Sequence, residues 1–324
     1  MTTTSGLSVD IVALKRARRR AGVSVARARA RRLSCLALAL LATATARAAP
    51  PAGASLPLTL EVRMFSAGHA DATLLSTSAG HHVLIDAGRG TSRAGDHLVS
   101  RRLLPYFRAR GIKHLDAFVI THPHWDHVGD PRALARGVQI KRIVVNPDGA
   151  RWLGRQLRRL APLVTAVRGQ RLRFGPLSFD VLHPPRAGTP WRGNGLTAEN
   201  NRSLVLRAAF GRHRLLFPGD LMAAGERWML SRRRARPGRV DVLKLGHHGS
   251  LSSTSQALLE QLAPVFAVAS SGARNRWGMP HRLVRQRLRR RGIPLFGTDR
   301  QGAVRVVLGT RTIAVSPVLP VGPR

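Results

Sequence analysis

The apolar run Leu115-Asp116-Ala117-Phe118-Val119-Ile120 leads directly into Thr121-His122-Pro123-His124-Trp125-Asp126-His127-Val128-Gly129-Asp130, which packs three imidazoles and a carboxylate into six residues. Side chains alternate along an extended segment, so His122 and His124 leave the chain on one side and can reach one ion. Asp126 and His127 come from the following turn, placed to hold a second ion at the ~3.5–4 Å spacing of two-metal hydrolases. A polar turn with locally bonded histidines is the competing reading. Four ligand-capable groups after a buried strand, closed by a glycine, exceed what packing requires, and the cluster predicts metal chemistry.

Around that cluster, strand and helix patterns alternate as in a layered α/β fold. Short strands are expected at 58–66, 72–78, 82–86, 115–121, 139–146, 202–210, 214–217, 239–245, 264–270, 303–308 and 311–316. Helices are expected at 97–110, 126–136, 149–161, 221–231, 251–262 and 281–291. The stretch 183–200, with Pro184-Pro185, Pro190, Gly193 and Gly195, reads as a loop or lid. Further polar points lie at strand ends: Asp86, Asn200-Asn201, Asp220, and His247-His248-Gly249-Ser250. This is how a distributed site is assembled along one sheet edge. Asp220 has two oxygens with which to bridge two cations, and His247 can complete the ligand set of the second ion. His248 is expected to diverge from His247, because neighbouring side chains on an extended segment point apart. Asp86 is expected to orient a histidine or the motif turn.

The 324 residues are 44% hydrophobic, enough to bury a full core. An arginine-dense segment at 12–32 precedes the short apolar core Ser34–Ala42, and Ala46-Arg47-Ala48 follows. This reads as a secretory signal peptide over residues 1–48, leaving a single domain at 56–318. The apolar stretch falls short of the roughly 20 residues of a bilayer crossing, although an uncleaved membrane tether is the other reading. A secreted or periplasmic location follows from either. The one cysteine, Cys35, lies within the leader, so the site must use His, Asp and Asn. The formal charge is +38, and residues 1–48 hold ten basic side chains and one acidic, leaving +29 on the rest. Such a balance predicts affinity for nucleic acid or another phosphorylated polyanion, with arginine-rich compositional drift as the competing reading.

In order, Gly68-His69-Ala70-Asp71-Ala72, Leu84-Ile85-Asp86-Ala87-Gly88, the motif at 121–130, Asn200–Leu206, Phe217–Asp220, Asp241–Ser250, Ser271–His281 and Thr298–Ala303 resemble the conserved blocks of the metallo-β-lactamase fold. The likeness is to the detached hydrolase domain of the competence proteins of DNA uptake. It implies a four-layer αββα sandwich with a centre of two divalent metal ions; histidine and aspartate serve several metals alike, and for an exported protein zinc is the first choice and manganese the second. Departures from the pattern are Met279 in place of a histidine, Ala70 in place of a glycine, and His124 where competence proteins carry an aspartate. Asn200-Asn201 stands where the wider superfamily has its third ligand histidine.

The resemblance implies His122, His124 and Asp220 around one ion, and Asp126, His127, His247 and Asp220 around the other. Asp126 would also accept a proton, His281 would steady a substrate oxygen or the leaving group, and Asn275 would donate to phosphate. Arg274, Arg276 and Lys244 add positive potential, and Trp277 offers a face for stacking a base. Hydrolysis of a phosphodiester in single-stranded nucleic acid is the leading expectation. A lactone, ester or lactam hydrolase, and a nucleic-acid-binding protein with a degraded centre, are the alternatives.

Overall fold

The computed structural model describes residues 7–10, 57–90, 98–186, 195–232, 236–273 and 275–318. Apart from the strand Leu7–Asp10, the expected signal segment lies outside these residues, as do Arg274 and the middle of the 183–200 stretch. Among the described residues no helix is long and apolar enough to cross a membrane.

Two twisted sheets stack face to face. The first runs Leu7–Asp10, Thr312–Val318, Ala303–Leu308, Leu60–Met64, Ala72–Thr77, His82–Ala87, Ala117–Ile120, Ile143–Val145, Leu163–Thr165. The second runs Arg171–Phe174, Leu177–His183, Val205–Phe210, His213–Phe217, Val242–Lys244, Phe266–Ala269, Leu295–Gly297. In each, antiparallel pairing gives way to parallel pairing, from His82–Ala87 onward in the first and from His213–Phe217 onward in the second.

Alternation of side chains sorts the core into three slabs. Val62, Leu75, Ile85 and Val119 of the first sheet meet Phe179, Leu206, Phe217 and Val268 of the second, forming the inner core. On the outer face of the first sheet, Leu74, Leu84, Phe118 and Ile120 pack under Leu103, Phe107, Leu134 and Leu157 from its helices. On the outer face of the second, Val205, Leu216 and Leu243 pack under Met229, Leu259 and Leu288. The four-layer αββα sandwich expected from the sequence is therefore the observed fold. Parallel strands of both sheets end on the same edge, and Asp86, Thr121, Asp220 and Lys244 lie at or just beyond those ends.

Several elements depart from expectation. The helix expected at 126–136 is two pieces, Trp125–Val128 and Pro131–Gly137, broken at Gly129 with φ 65°. A Cβ there would lie 2.6 Å from the Ala87 carbonyl oxygen, so chain approach fixes a glycine at the break. The expected loop 183–200 contains the helix Leu196–Asn200. Five strands lie where none was expected, at Leu7–Asp10, Leu163–Thr165, Arg171–Phe174, Leu177–His183 and Leu295–Gly297.

Candidate metal centre

Five histidine rings crowd the shared sheet edge, and each is fixed through its outward nitrogen. Asp86, buried and held at φ 56°, accepts from the Thr121 amide at 2.8 Å and from the Thr121 hydroxyl at 2.9 Å. That hydroxyl, its proton spent on Asp86, accepts from His122 Nδ1 at 3.1 Å. His127 Nδ1 donates to Asp86 Oδ2 at 2.8 Å. His248 Nδ1 donates to the Ser270 carbonyl at 3.1 Å, and His247 Nδ1 lies 3.3 Å from Ser252 Oγ. His124 is held by its other nitrogen, Nε2 donating to Glu199 Oε2 at 2.7 Å. Carboxylates and carbonyls that occupy the outer nitrogen in this way fix the tautomer in which the inner nitrogen can bind a cation.

The inner nitrogens converge on Asp220. Its Oδ2 lies 3.3 Å from His127 Nε2, 3.7 Å from His248 Nε2, 3.8 Å from His247 Nε2 and 3.9 Å from His122 Nε2. His124 Nδ1 sits 3.0 Å from His122 Nε2, and Asp126 Oδ2 sits 3.4 Å from His248 Nε2. Donor atoms of Asp71, His127, Asp220 and His248 all fall within 4.8 Å of one another, and a second group joins His69, Asp126 and His248. His127 Nε2, His248 Nε2 and Asp220 Oδ1 are buried without hydrogen-bond partners. Buried polar atoms normally find partners, so orphans facing a common point fit a divalent cation held there.

The charges agree. Although the chain is strongly basic, five of its 16 acidic residues, Asp71, Asp86, Asp126, Glu199 and Asp220, are buried here. Burial opposes a charged ring at His248, yet Asp220, Asp71 and Asp126 outweigh it and push its pKa up to about 10. Burial likewise opposes the charge on His127, and Asp220, Asp86 and Asp126 raise its pKa well above the ordinary value. Burial alone would push Asp220 up, but His127, His248 and His247 hold it well below the carboxylate range. His122 has the opposite fate, its pKa driven well down by burial and by His127. The cavity thus has a negative field that protonated rings offset, and a metal cation carries the same compensating charge.

Of the residues expected from the sequence, His122, His124, Asp126, His127, Asp220 and His247 all lie at this convergence. The expected divergence of His248 does not occur. His247 (φ 47°, ψ 50°) and His248 (φ 54°, ψ 14°) are successive left-handed residues, not an extended pair, so both rings reach Asp220. His248 is the fully buried one and touches Asp126 as well. Asn275 spends its amide within its own loop, donating to the carbonyls of Gly272 and Met279 and accepting from the Met279 amide, each at 2.7 Å. His281 caps the helix Arg282–Arg290, its Nδ1 accepting from the Leu283 amide at 3.2 Å.

Three contributors were not singled out in the sequence. Asp71 forms a buried ion pair with Lys244 and faces His248 Nδ1 at 3.4 Å. Glu199 anchors His124 and accepts from the Gly195 amide at 3.0 Å. His69 stacks on Trp277, 4.1 Å away, and lies tilted at 45° to His248, 4.5 Å away, and burial lowers its pKa to about 4. The Gly-His-Ala-Asp spacing at 68–71 was the available signal for His69 and Asp71. Glu199 sits one residue before the noted asparagines and had none.

This fold is that of the metallo-β-lactamase superfamily, whose sequence model matches residues 66–272, and the chain belongs to that superfamily of metal-dependent hydrolases. It is 33% identical over 263 residues to ComE operon protein 3 of Bacillus subtilis (strain 168), covering 75% of this chain and 32% of that protein. Competence protein ComA of Neisseria gonorrhoeae is 31% identical, covering 76% of this chain and 32% of that protein. Recombination protein 2 of Haemophilus influenzae is 30% identical, with 76% and 29% covered. The chain therefore spans about a third of the length of these relatives. Among solved structures, the metallo-beta-lactamase fold protein YhfI from Bacillus subtilis superposes with a TM-score of 0.51 at 15% identity, over 75% of this chain and 96% of that one. At that identity the likeness concerns the fold.

Proposed function

We propose that this protein is a phosphodiesterase acting on single-stranded nucleic acid with two divalent ions, zinc first and manganese second. The observation that carries the metal-dependent reading is the convergence on Asp220 of histidine nitrogens whose outer partners are already engaged. The nucleic-acid reading draws support from the kinship with competence proteins and from the +38 charge. Bound divalent ions lower the pKa of water and neutralise phosphoryl oxygens.

In this reading His122, His124 and Asp220 hold one ion, and Asp126, His127, Asp220 and the His247–His248 pair hold the other. Glu199, Asp86 and Ser270 keep the rings oriented. Asp126, at 9% exposure the least enclosed carboxylate bordering Asp220, accepts the proton from the attacking water. Burial opposes its charge, but His127 and His248 outweigh it and lower its pKa to about 2, so it stands ionised at neutral pH and able to ligate a cation, and the proton-acceptor role is carried by its position alone. His281 retains Nε2 for a substrate oxygen, and Asn275 shapes the 272–279 loop at the rim. Localisation outside the cytoplasm is proposed from the leader segment.

The test is to incubate single-stranded and duplex DNA, RNA and bis(p-nitrophenyl) phosphate with the Zn²⁺-, Mn²⁺- or Mg²⁺-loaded protein and with Asp220→Asn. Cleavage of single strands by the wild type, lowered at least 100-fold in Asp220→Asn, is the expected outcome. Metal-loaded protein inert on every phosphodiester overturns the reading, and turnover only of lactams or carboxyl esters moves the protein to that class of hydrolase.

A further inference from the structure

The described residues include six large apolar side chains that remain exposed, and four of these border segments of the metal centre. Trp125 (47% exposed) precedes Asp126, Leu196 opens the helix that carries Glu199, Leu251 follows the His247–Ser250 turn, and Trp277 (44% exposed) stacks on His69. A soluble surface scatters such residues, and four of the six flank segments that carry the site's ligands, which makes that edge a candidate binding surface. Both tryptophans carry a guanidinium on the ring: Arg89 lies 4.1 Å from the Trp125 centroid, and Arg276 lies 4.6 Å from that of Trp277. Both arginines are themselves exposed. A continuous line of contacts joins the two rings through the centre, from Trp125 to its neighbour Asp126, then His248, His69 and Trp277.

We infer that Trp125–Arg89 and Trp277–Arg276 are two base-stacking platforms that flank the metal centre and splay adjacent nucleotides of a single strand across it. His69 already takes one face of Trp277, so a base reaching either indole slides under the exposed guanidinium that covers the ring, and that guanidinium then meets the phosphate beside it. The pairing of an aromatic plane with a cation matches a ligand that alternates flat bases with anions. A duplex keeps its bases stacked on each other and offers no free face. The inference rests on the phosphodiesterase reading for its substrate class, but it concerns binding and is read without turnover.

The experiment measures fluorescence anisotropy of a short single-stranded oligothymidylate and of its abasic counterpart with equal phosphate count, on full-length Asp220→Asn protein at fixed salt. The intact strand is expected to bind at least 10-fold more tightly than the abasic strand. Trp125→Leu and Trp277→Leu, each added to that background, are expected to cut this ratio at least 5-fold, with the Phe variants retaining most of it. Equal affinity for intact and abasic strands overturns the inference without need of any tryptophan variant, as does a ratio unchanged in both Leu variants. Base-independent binding alongside phosphodiester cleavage by the wild type sinks the platforms alone. Base-dependent binding by a protein inert on all phosphodiesters sinks the proposed reaction alone.

Discussion

His124 donates Nε2–H to Glu199 across 2.7 Å, which leaves Nδ1 as the nitrogen available to a cation. Removing that acceptor frees the ring to take the other tautomer. Glu199→Ala is expected to weaken binding of the first metal equivalent about 10- to 100-fold while leaving the far-ultraviolet circular dichroism unchanged, as read by metal titration. Glu199→Gln, which keeps an acceptor without the charge, should fall between. The residues of this site differ in how far the sequence discloses them. His122, His124, Asp126 and His127 are legible because strand alternation and one turn put them together within six positions. Asp220 and the histidine pair stand out as polar groups after apolar strands. Glu199, by contrast, reaches His124 across 75 positions of chain. The pairing of Lys244 with Asp71 is equally the work of the tertiary fold, since each alone reads as an ordinary charged residue at a strand end.

At the scale of elements, the first and second sheets were legible where apolar residues dominate, as in Ala117–Ile120 and Val242–Lys244, both wholly buried. Arg171–Phe174 was not, because it is an edge strand whose arginines alternate into solvent and dilute its apolar signal. Leu295–Gly297 was not either, because it is the opposite edge strand, with Leu295 and Phe296 only partly buried and Pro294 and Gly297 interrupting the apolar run. The broken helix after His124 depends on two glycines. Gly129 has φ 65° with its Cβ position 2.6 Å from the Ala87 carbonyl oxygen, and Gly90 would place a Cβ 2.5 Å from the Gly129 carbonyl oxygen. Gly129→Ala must therefore strain the backbone and push two chain segments apart. We expect it to destabilise the protein by about 2 kcal/mol or more in urea unfolding and to disturb metal binding through Asp126 and His127.

For the molecule as a whole, a buried histidine away from the centre sets an acid limit. His183 is fully buried, donates Nδ1–H to the Ser203 carbonyl at 3.0 Å, and has its pKa lowered by burial from 6.5 to about 4. Between those values the unfolded chain takes up a proton that the folded chain refuses, so stability declines as pH falls through the window. The decline starts near 6.5, amounts to about 3 kcal/mol, and is complete near 4. Urea unfolding at a series of pH values, compared with His183→Gln, should show the slope in the wild type and a flatter one in the variant. An identical slope in both would remove His183 as its source.

The outward anchoring of the histidine rings has a consequence for how the protein acquires its ions. Thr121, Asp86, Glu199 and Ser270 position the imidazoles by contacts that involve no cation, so the scaffold is complete before loading. Metal-free protein is therefore expected to keep the far-ultraviolet circular dichroism of the loaded protein, and a spectrum lost on chelation would show that the anchors alone do not hold the scaffold. On that expectation, the ion bound would follow from the supply at the moment of filling.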